Sequence, residues 1–266
     1  MGNGGDMGSS YFQLTCTSEG AQVNSTIDAD DSAGVEPFKI IVKKNGPYFI
    51  AGKLPLRKEY IITDDEGMPV TWSLGDPYPD NASHALCRCG HSSKQPFCDS
   101  THRKIGFDGT ETARKENYHE LSSTFTGPEL LLTDARVFCA SAHFCHRAGG
   151  TWVLAGRSSD PDAKATAIEQ ACNCPSGRLV AWNKESSEPI EPIFEPSVSV
   201  VEDPGKGVSG PLWVKGGVPV ESSDGERYEI RNRITLCRCG RSSKKPFCNG
   251  AHLITGFDDG DEILHP

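Results

Sequence analysis

Two stretches of the chain carry the same set of metal-binding side chains. The first holds Cys87, Cys89, Cys98 and His102, and the second holds Cys237, Cys239, Cys248 and His252. Both follow the spacing C-x-C-x8-C-x3-H. Thiolates are soft ligands that suit zinc, copper(I) and iron–sulfur clusters, and imidazole suits zinc and iron. Structural zinc usually draws on C-x2–4-C and H-x3–5-H pairs. Here a C-x-C pair is followed by a long Gly/Ser/Lys loop and a C-x3-H pair. Such a set can put two thiolates on one iron and Cys plus His on the other. Spacing favours iron–sulfur over zinc but leaves both open.

Ten of the eleven cysteines lie in three clusters, the middle one formed by Cys139, Cys145, Cys172 and Cys174. A secreted disulfide scaffold fits poorly with 266 residues, an odd cysteine count and a start without a signal-peptide core. Clustered cysteines with nearby histidines in a reducing, cytoplasmic setting read as metal ligands. Cys16 stands apart and reads as a spare thiol. The start, Met1-Gly2-Asn3-Gly4-Gly5-Asp6, has Asp6 where a myristoylation site wants Ser or Thr. Charged residues make up 24% and hydrophobic ones 36%, a globular composition. The net charge of −9 argues against nucleic acid as the main partner. No apolar run approaches a membrane span.

The elements that must position these ligands are duplicated. Gly46-Pro47-Tyr48-Phe49-Ile50, Gly52 and Pro55 precede the first set, and Gly210-Pro211-Leu212-Trp213-Val214, Gly216 and Pro219 precede the second. Gly106-Phe107-Asp108 closes one copy and Gly256-Phe257-Asp258 the other, which marks an internal repeat. The first copy is longer, and its extra residues around Met68 to Ser83, rich in Gly, Pro and Asp, read as a loop excursion. Lys39–Lys43 and Tyr48–Ile50 read as strands joined through Asn45-Gly46, a tight-turn signal. Tyr228, Ile230, Ile234 and Leu236 alternate into Cys237 as in a half-buried strand. Each ligand set thus sits on a loop leaving a strand, with a short helical turn from Asp99 to His102. Between the copies, Pro161 to Cys174 reads as a helix and Leu179 to Trp182 as a strand. The boundaries implied are a mobile segment over 1–35, a first half over 36–125, an inserted segment over 126–195 and a second half over 196–266.

The wording around the ligands goes further. Cys87-Arg88-Cys89-Gly90, Ser93-Lys94, and Pro96-Phe97-Cys98-Asp99-Ser100-Thr101-His102 closely resemble the CDGSH iron–sulfur family, also called NEET proteins. Cys237-Arg238-Cys239-Gly240 and Lys245-Pro246-Phe247-Cys248-Asn249-Gly250-Ala251-His252 resemble it equally. Ser100 replaces the usual Gly in the first copy, and Asn249 replaces the usual Asp in the second. The resemblance implies a [2Fe–2S] cluster in each site, held by three cysteines and one exposed histidine. Single-motif members pair as homodimers, so two motifs in one chain imply a monomer with an internal pseudo-two-fold. Imidazole in place of one thiolate leaves the cluster less negative and should raise its potential. Protonation of His102 or His252 should couple redox state and cluster retention to pH. Arg88, Lys94, Arg238, Lys244 and Lys245 either offset cluster charge or form a solvated basic rim.

The middle segment resembles a divergent single-cluster ferredoxin domain, with Ala142 where the bacterial C-x2-C-x2-C run has its second cysteine. Cys139, Cys145 and Cys174 match that pattern and imply a [3Fe–4S] cluster. Cys172 is a possible fourth ligand, and His143 another, either of which would give [4Fe–4S]. Structural zinc is the remaining alternative. The expected fold class is α+β: two β-rich halves forming an intramolecular pseudo-dimer around a small ferredoxin-like α/β module. The expected function is non-catalytic electron transfer to a redox partner protein. The alternative is donation of His-ligated clusters to an apo-acceptor in iron homeostasis.

Overall fold

The computed structural model describes residues 11, 12, 16, 38–79 and 83–265, so most of the segment expected to be mobile, 1–35, lies outside the described residues. The strands are β1 (Tyr11–Phe12), β2 (Phe38–Val42), β3 (Tyr48–Gly52), β4 (Leu56–Thr63), β5 (Pro69–Pro77), β6 (Ser83–Leu86) and β7 (Ser123–Thr126). They continue as β8 (Leu130–Asp134), β9 (Leu179–Asn183), β10 (Pro189–Ile190), β11 (Ser197–Asp203), β12 (Val208–Lys215), β13 (Val220–Glu221) and β14 (Arg233–Leu236). The helices are α1 (Thr101–Lys104), α2 (Tyr118–Leu121), α3 (Thr151–Gly156), α4 (Pro161–Asn173) and α5 (Ala251–Thr255).

The duplication is visible in the sheets. β2, β3 and β6 pair in that order, antiparallel, and β11, β12 and β14 repeat the arrangement. Asn45, at φ 47°, turns the chain between β2 and β3, a conformation Asn tolerates better than most residues. The strand that follows each hairpin crosses to the other copy. β4 lies parallel to β11, Leu56 opposite Val198, and β13 lies parallel to β2, Val220 opposite Ile40. One core results: Ile40, Tyr48 and Ile50 of the first copy pack with Val200, Leu212 and Ile234 of the second. Neither copy encloses that core alone.

The exchange is fixed by a buried ion pair. Glu59 on β4 meets Lys215 on β12, with only 2% and 7% of their surfaces exposed. Ser199 Oγ donates to Glu59 Oε1 at 2.9 Å, and Lys215 Nζ lies 4.4 Å from the Trp213 ring centroid. Burial lowers the Lys215 pKa, which the carboxylate partly restores.

Two expectations need correction. The excursion around Met68 to Ser83 contains a strand, β5, paired antiparallel with β4. Its Gly, Pro and Asp residues obscure the run Val70-Thr71-Trp72, whose Trp72 is buried against Trp213 and Phe144 at centroid distances of 4.5 and 5.0 Å. Residues 80–82 of that stretch lie outside the described residues. The half-buried strand expected over Tyr228 to Leu236 begins only at Arg233, and all four of its residues are buried.

The inserted segment forms its own sheet, β10-β9-β8-β7, packed against α3 and α4. Asp160 caps α4 by accepting from the Asp162 N–H at 3.1 Å, with Pro161 at the first position. The helix buries Ala163, Ala167, Ile168 and Ala171 against Leu130, Leu132 and Leu179. Cys16, expected to be a spare thiol, is disulfide-bonded to Cys172, a pairing no local spacing announces because 156 positions separate them. Closing so long a loop is worth ~5 kcal/mol in the chain-entropy account when oxidised.

Candidate metal centres

Each outer site is built by a loop that folds back on its own strand. Cys87 leaves β6, and its N–H donates to the Pro96 carbonyl at 2.7 Å, while the Cys98 N–H donates to the Ala85 carbonyl at 2.7 Å. In the second copy Cys237 donates to Pro246 at 2.8 Å and Cys248 to Thr235 at 2.9 Å. The loop ends are therefore clamped beside the strand, and sulfurs distant in sequence are brought together. Cys87 and Cys89 Sγ lie 3.7 Å apart, as do Cys237 and Cys239 Sγ. Cys98 Sγ lies 3.3 Å from His102 Nδ1, and Cys248 Sγ lies 3.4 Å from His252 Nδ1. Sulfurs held ~2.3 Å from a tetrahedral metal sit about 3.8 Å apart, so these pairs fit a metal each. Hydrogen bonding from Cys89 outweighs burial and, with backbone N–H groups, holds the Cys87 thiol below the ordinary thiol range; Cys239 does the same for Cys237.

The two motif variants keep the turn. Asp99 accepts from the Ser93 and Thr101 N–H groups at 2.9 Å each; hydrogen bonding from the Thr101 side chain, then from these N–H groups, holds its carboxyl well below the usual range. Asn249 receives the Ala251 N–H at 3.1 Å and donates through Nδ2 to Ser243 Oγ at 2.9 Å, preserving the shape without the charge. Ser100 occupies φ 71° where Gly250 has φ 82°.

The exposed histidine implied by the resemblance is found in neither copy: His102 and His252 are 9% and 5% exposed. Each lies at the start of a short helix, α1 or α5, and faces its cysteine rather than solvent. Burial, then the charges of Arg238, Lys206 and His143, pushes His252 down to about 4.

Arg88 and Arg238 are not a solvated rim either, being 1% exposed each. Arg88 donates to the carbonyls of Lys43, Gly46 and Gly109 and lies over the Tyr48 and Phe107 rings. Arg238 donates to the carbonyls of Gly210 and Val201 and to the carboxylates of Glu202 and Asp259. Both guanidinium groups act as struts that hold the C-x-C loop. Lys244 reaches the Val137 carbonyl at 3.0 Å and Lys245 the Ser242 carbonyl at 2.9 Å, while Lys94 is exposed.

Sequence reading missed how the two sites meet. An added Cβ on Gly90 would lie 2.6 Å from the Cys239 carbonyl oxygen, and one on Gly240 would lie 2.5 Å from that of Cys89. The C-x-C loops thus touch through their glycines. Tyr48 Oη also crosses between copies, donating to the Cys237 and Pro246 carbonyls at 2.8 and 2.9 Å.

Glu202, wholly buried, is the acidic partner of Arg238. Burial raises its pKa to about 7, partly offset by Arg238. A raised native pKa contributes stability that is complete below the unfolded value and is lost as pH rises through the native one. Urea midpoints of Glu202→Gln relative to the parent should therefore rise between about pH 5 and pH 8. A constant offset across that range would contradict the assignment.

In the inserted segment, Cys139, Cys145 and Cys174 line one cavity of about 90 Å³ together with His143 and His146. Cys174, from the end of α4, faces Cys145, which burial and the neighbouring thiols push up to about 12. Arg178 bonds Asp134 at 2.5 and 2.7 Å and borders the same cavity. Cys172 is absent from the lining and is held by Cys16, so it offers no thiolate here. Among the described residues, three soft ligands and no hard-ion cage converge at this cavity, a donor set suited to iron–sulfur.

The three cysteine-rich segments fall within matches to known families. Residues 45–103 and 209–253 match the family described as iron-binding zinc finger, CDGSH type. Residues 125–184 match that described as divergent 4Fe-4S mono-cluster. No curated protein and no solved structure matches the chain. Thiol geometry and the family matches together support an iron–sulfur protein. In particular, the chain carries two CDGSH-type iron-binding segments with a divergent 4Fe-4S mono-cluster segment inserted between them.

Proposed function

We propose that this chain is a multi-cluster electron carrier. Two [2Fe–2S] clusters are held by Cys87, Cys89, Cys98 and His102 and by Cys237, Cys239, Cys248 and His252. A [3Fe–4S] cluster is held by Cys139, Cys145 and Cys174. The halves act as an internal pseudo-dimer, for which the reciprocal exchange of β4 and β13 is the support, and the insert acts as a ferredoxin-like module. Three thiolates around one cavity, with Cys172 tied to Cys16, favour [3Fe–4S]. The alternative [4Fe–4S] needs a fourth donor, and His143 is a candidate among the residues bordering the cavity. The reading assigns the chain a redox partner protein and no catalytic turnover of its own.

The observation that carries the reading is contiguity. The outer sites touch through Gly90 and Gly240, and Ser141, two residues beyond Cys139, packs directly on Gly250, two residues beyond Cys248. When bound, each cluster takes up and returns one electron. The residues keep the sites fixed: Arg88 and Arg238 hold the loops, and Tyr48 Oη ties one copy to the other.

A second reading, cluster donation, is favoured by one feature, the cavity of about 810 Å³ beside Cys98 and His102. Sub-stoichiometric dithionite followed by freeze-quench EPR separates the two. Electron transfer predicts that signals redistribute among clusters while the chain keeps its iron. Iron and sulfide passing to an apo-ferredoxin without such redistribution would replace it with cluster donation.

A further inference from the structure

The two CDGSH sites share a motif but not a setting. The inserted segment packs on the second. Phe138 meets Phe247 at 6.0 Å between centroids, Lys244 binds the Val137 carbonyl, and Arg233 donates to the carbonyls of Cys172 and Leu179. Ser141 fills the space where a side chain on Gly250 would stand. Cys248 is consequently 2% exposed, whereas its counterpart Cys98 is half-buried.

Nothing comparable covers the first site among the described residues. Cys98, Ser100 and His102 border the cavity of about 810 Å³, whose lining includes Lys43, Lys44 and Arg103 and no carboxylate. Ile105, on the adjoining turn, is 47% exposed. This explains the difference between Ser100 and Gly250: a hydroxymethyl is accommodated at the open site and would collide at the covered one.

We propose that the first CDGSH site is the chain's port, that it docks the acidic face of a partner protein, and that the inserted segment closes the second site. The claim about exchange rests on the electron-carrier reading; the claim about closure does not. A basic rim with one exposed apolar residue suits a protein interface. Positive charge is confined to this rim in a chain of net charge −9, so it matches an acidic face of similar size, whereas an extended polyanion such as nucleic acid or an anionic membrane would also meet the acidic remainder. In the transfer itself one electron leaves the reduced chain and reduces the acceptor by one unit.

The test has two arms. In the first, the full iron-loaded chain is treated with an iron chelator and iodoacetamide, and alkylation is followed by mass spectrometry. Cys98 should be modified faster than Cys248 in the parent. Gly250→Ser, and independently Ser141→Leu from the other side, should bring Cys248 up to the rate of Cys98. Equal rates in the parent would overturn closure, whatever clusters are bound. In the second, the reduced chain is mixed with hexacyanoferrate(III), an anionic one-electron oxidant, with hexaammineruthenium(III) as the cationic control. Lys43→Glu with Lys44→Glu should slow the anionic reaction by about tenfold and reverse its salt dependence. An unchanged rate, or sedimentation with phosphatidylserine vesicles that depends on these lysines, would overturn the acidic protein partner.

Discussion

Arg238→Met is expected to lower the stability of the chain by about 3–5 kcal/mol and to empty the second CDGSH site of iron. Arg238 is enclosed by Glu202, Asp259 and two carbonyls, so its removal leaves buried carboxylates without a countercharge. Asp261, close to both acids, is already committed to Lys58 at 2.5 Å and supplies no relief. Arg88→Met should cost less, about 1–3 kcal/mol, because only carbonyls and aromatic rings lose a partner. Urea unfolding with iron analysis on both variants checks the contrast. Equal losses would mean that the guanidinium groups matter only as volume, not as countercharge.

Cys145→Ala should abolish the EPR signal of the oxidised protein and remove about three irons per chain, leaving the outer sites loaded. Cys145 shares its cavity with Cys139 and Cys174, and no other cysteine among the described residues borders it. Cys172→Ala is the matched control. It breaks the link to Cys16 and should leave the signal intact, since the Cys172 sulfur is engaged away from the cavity. A parent that is silent when oxidised and gains the signal in Cys172→Ala would return that residue to the ligand set as the fourth donor of a [4Fe–4S] cluster.

Much of this arrangement is legible in the sequence because metal ligation depends on residue type at short spacing. The C-x-C-x8-C-x3-H sets, the duplication, the β2–β3 hairpin and helix α4 all follow from local chemistry. What was not legible is long-range. Tyr228 to Leu236 alternates, but Arg233 is drawn inward by the inserted segment, so the strand is buried on both faces. β5 became a strand because β4 supplies an edge and Trp72 a buried anchor, overriding poor local propensity. The Cys16–Cys172 link and the burial of both histidines depend on contacts no spacing encodes. One sequence difference did carry structural news: Ser100 against Gly250 marks which site is left open.

The central claim is three iron–sulfur sites in one chain, and metal analysis of the purified protein tests it most directly. Iron near seven and acid-labile sulfide near eight per chain, with an oxidised-state EPR signal, is the predicted result (about two irons in each outer site and three in the middle). Zinc bound without sulfide would contradict it.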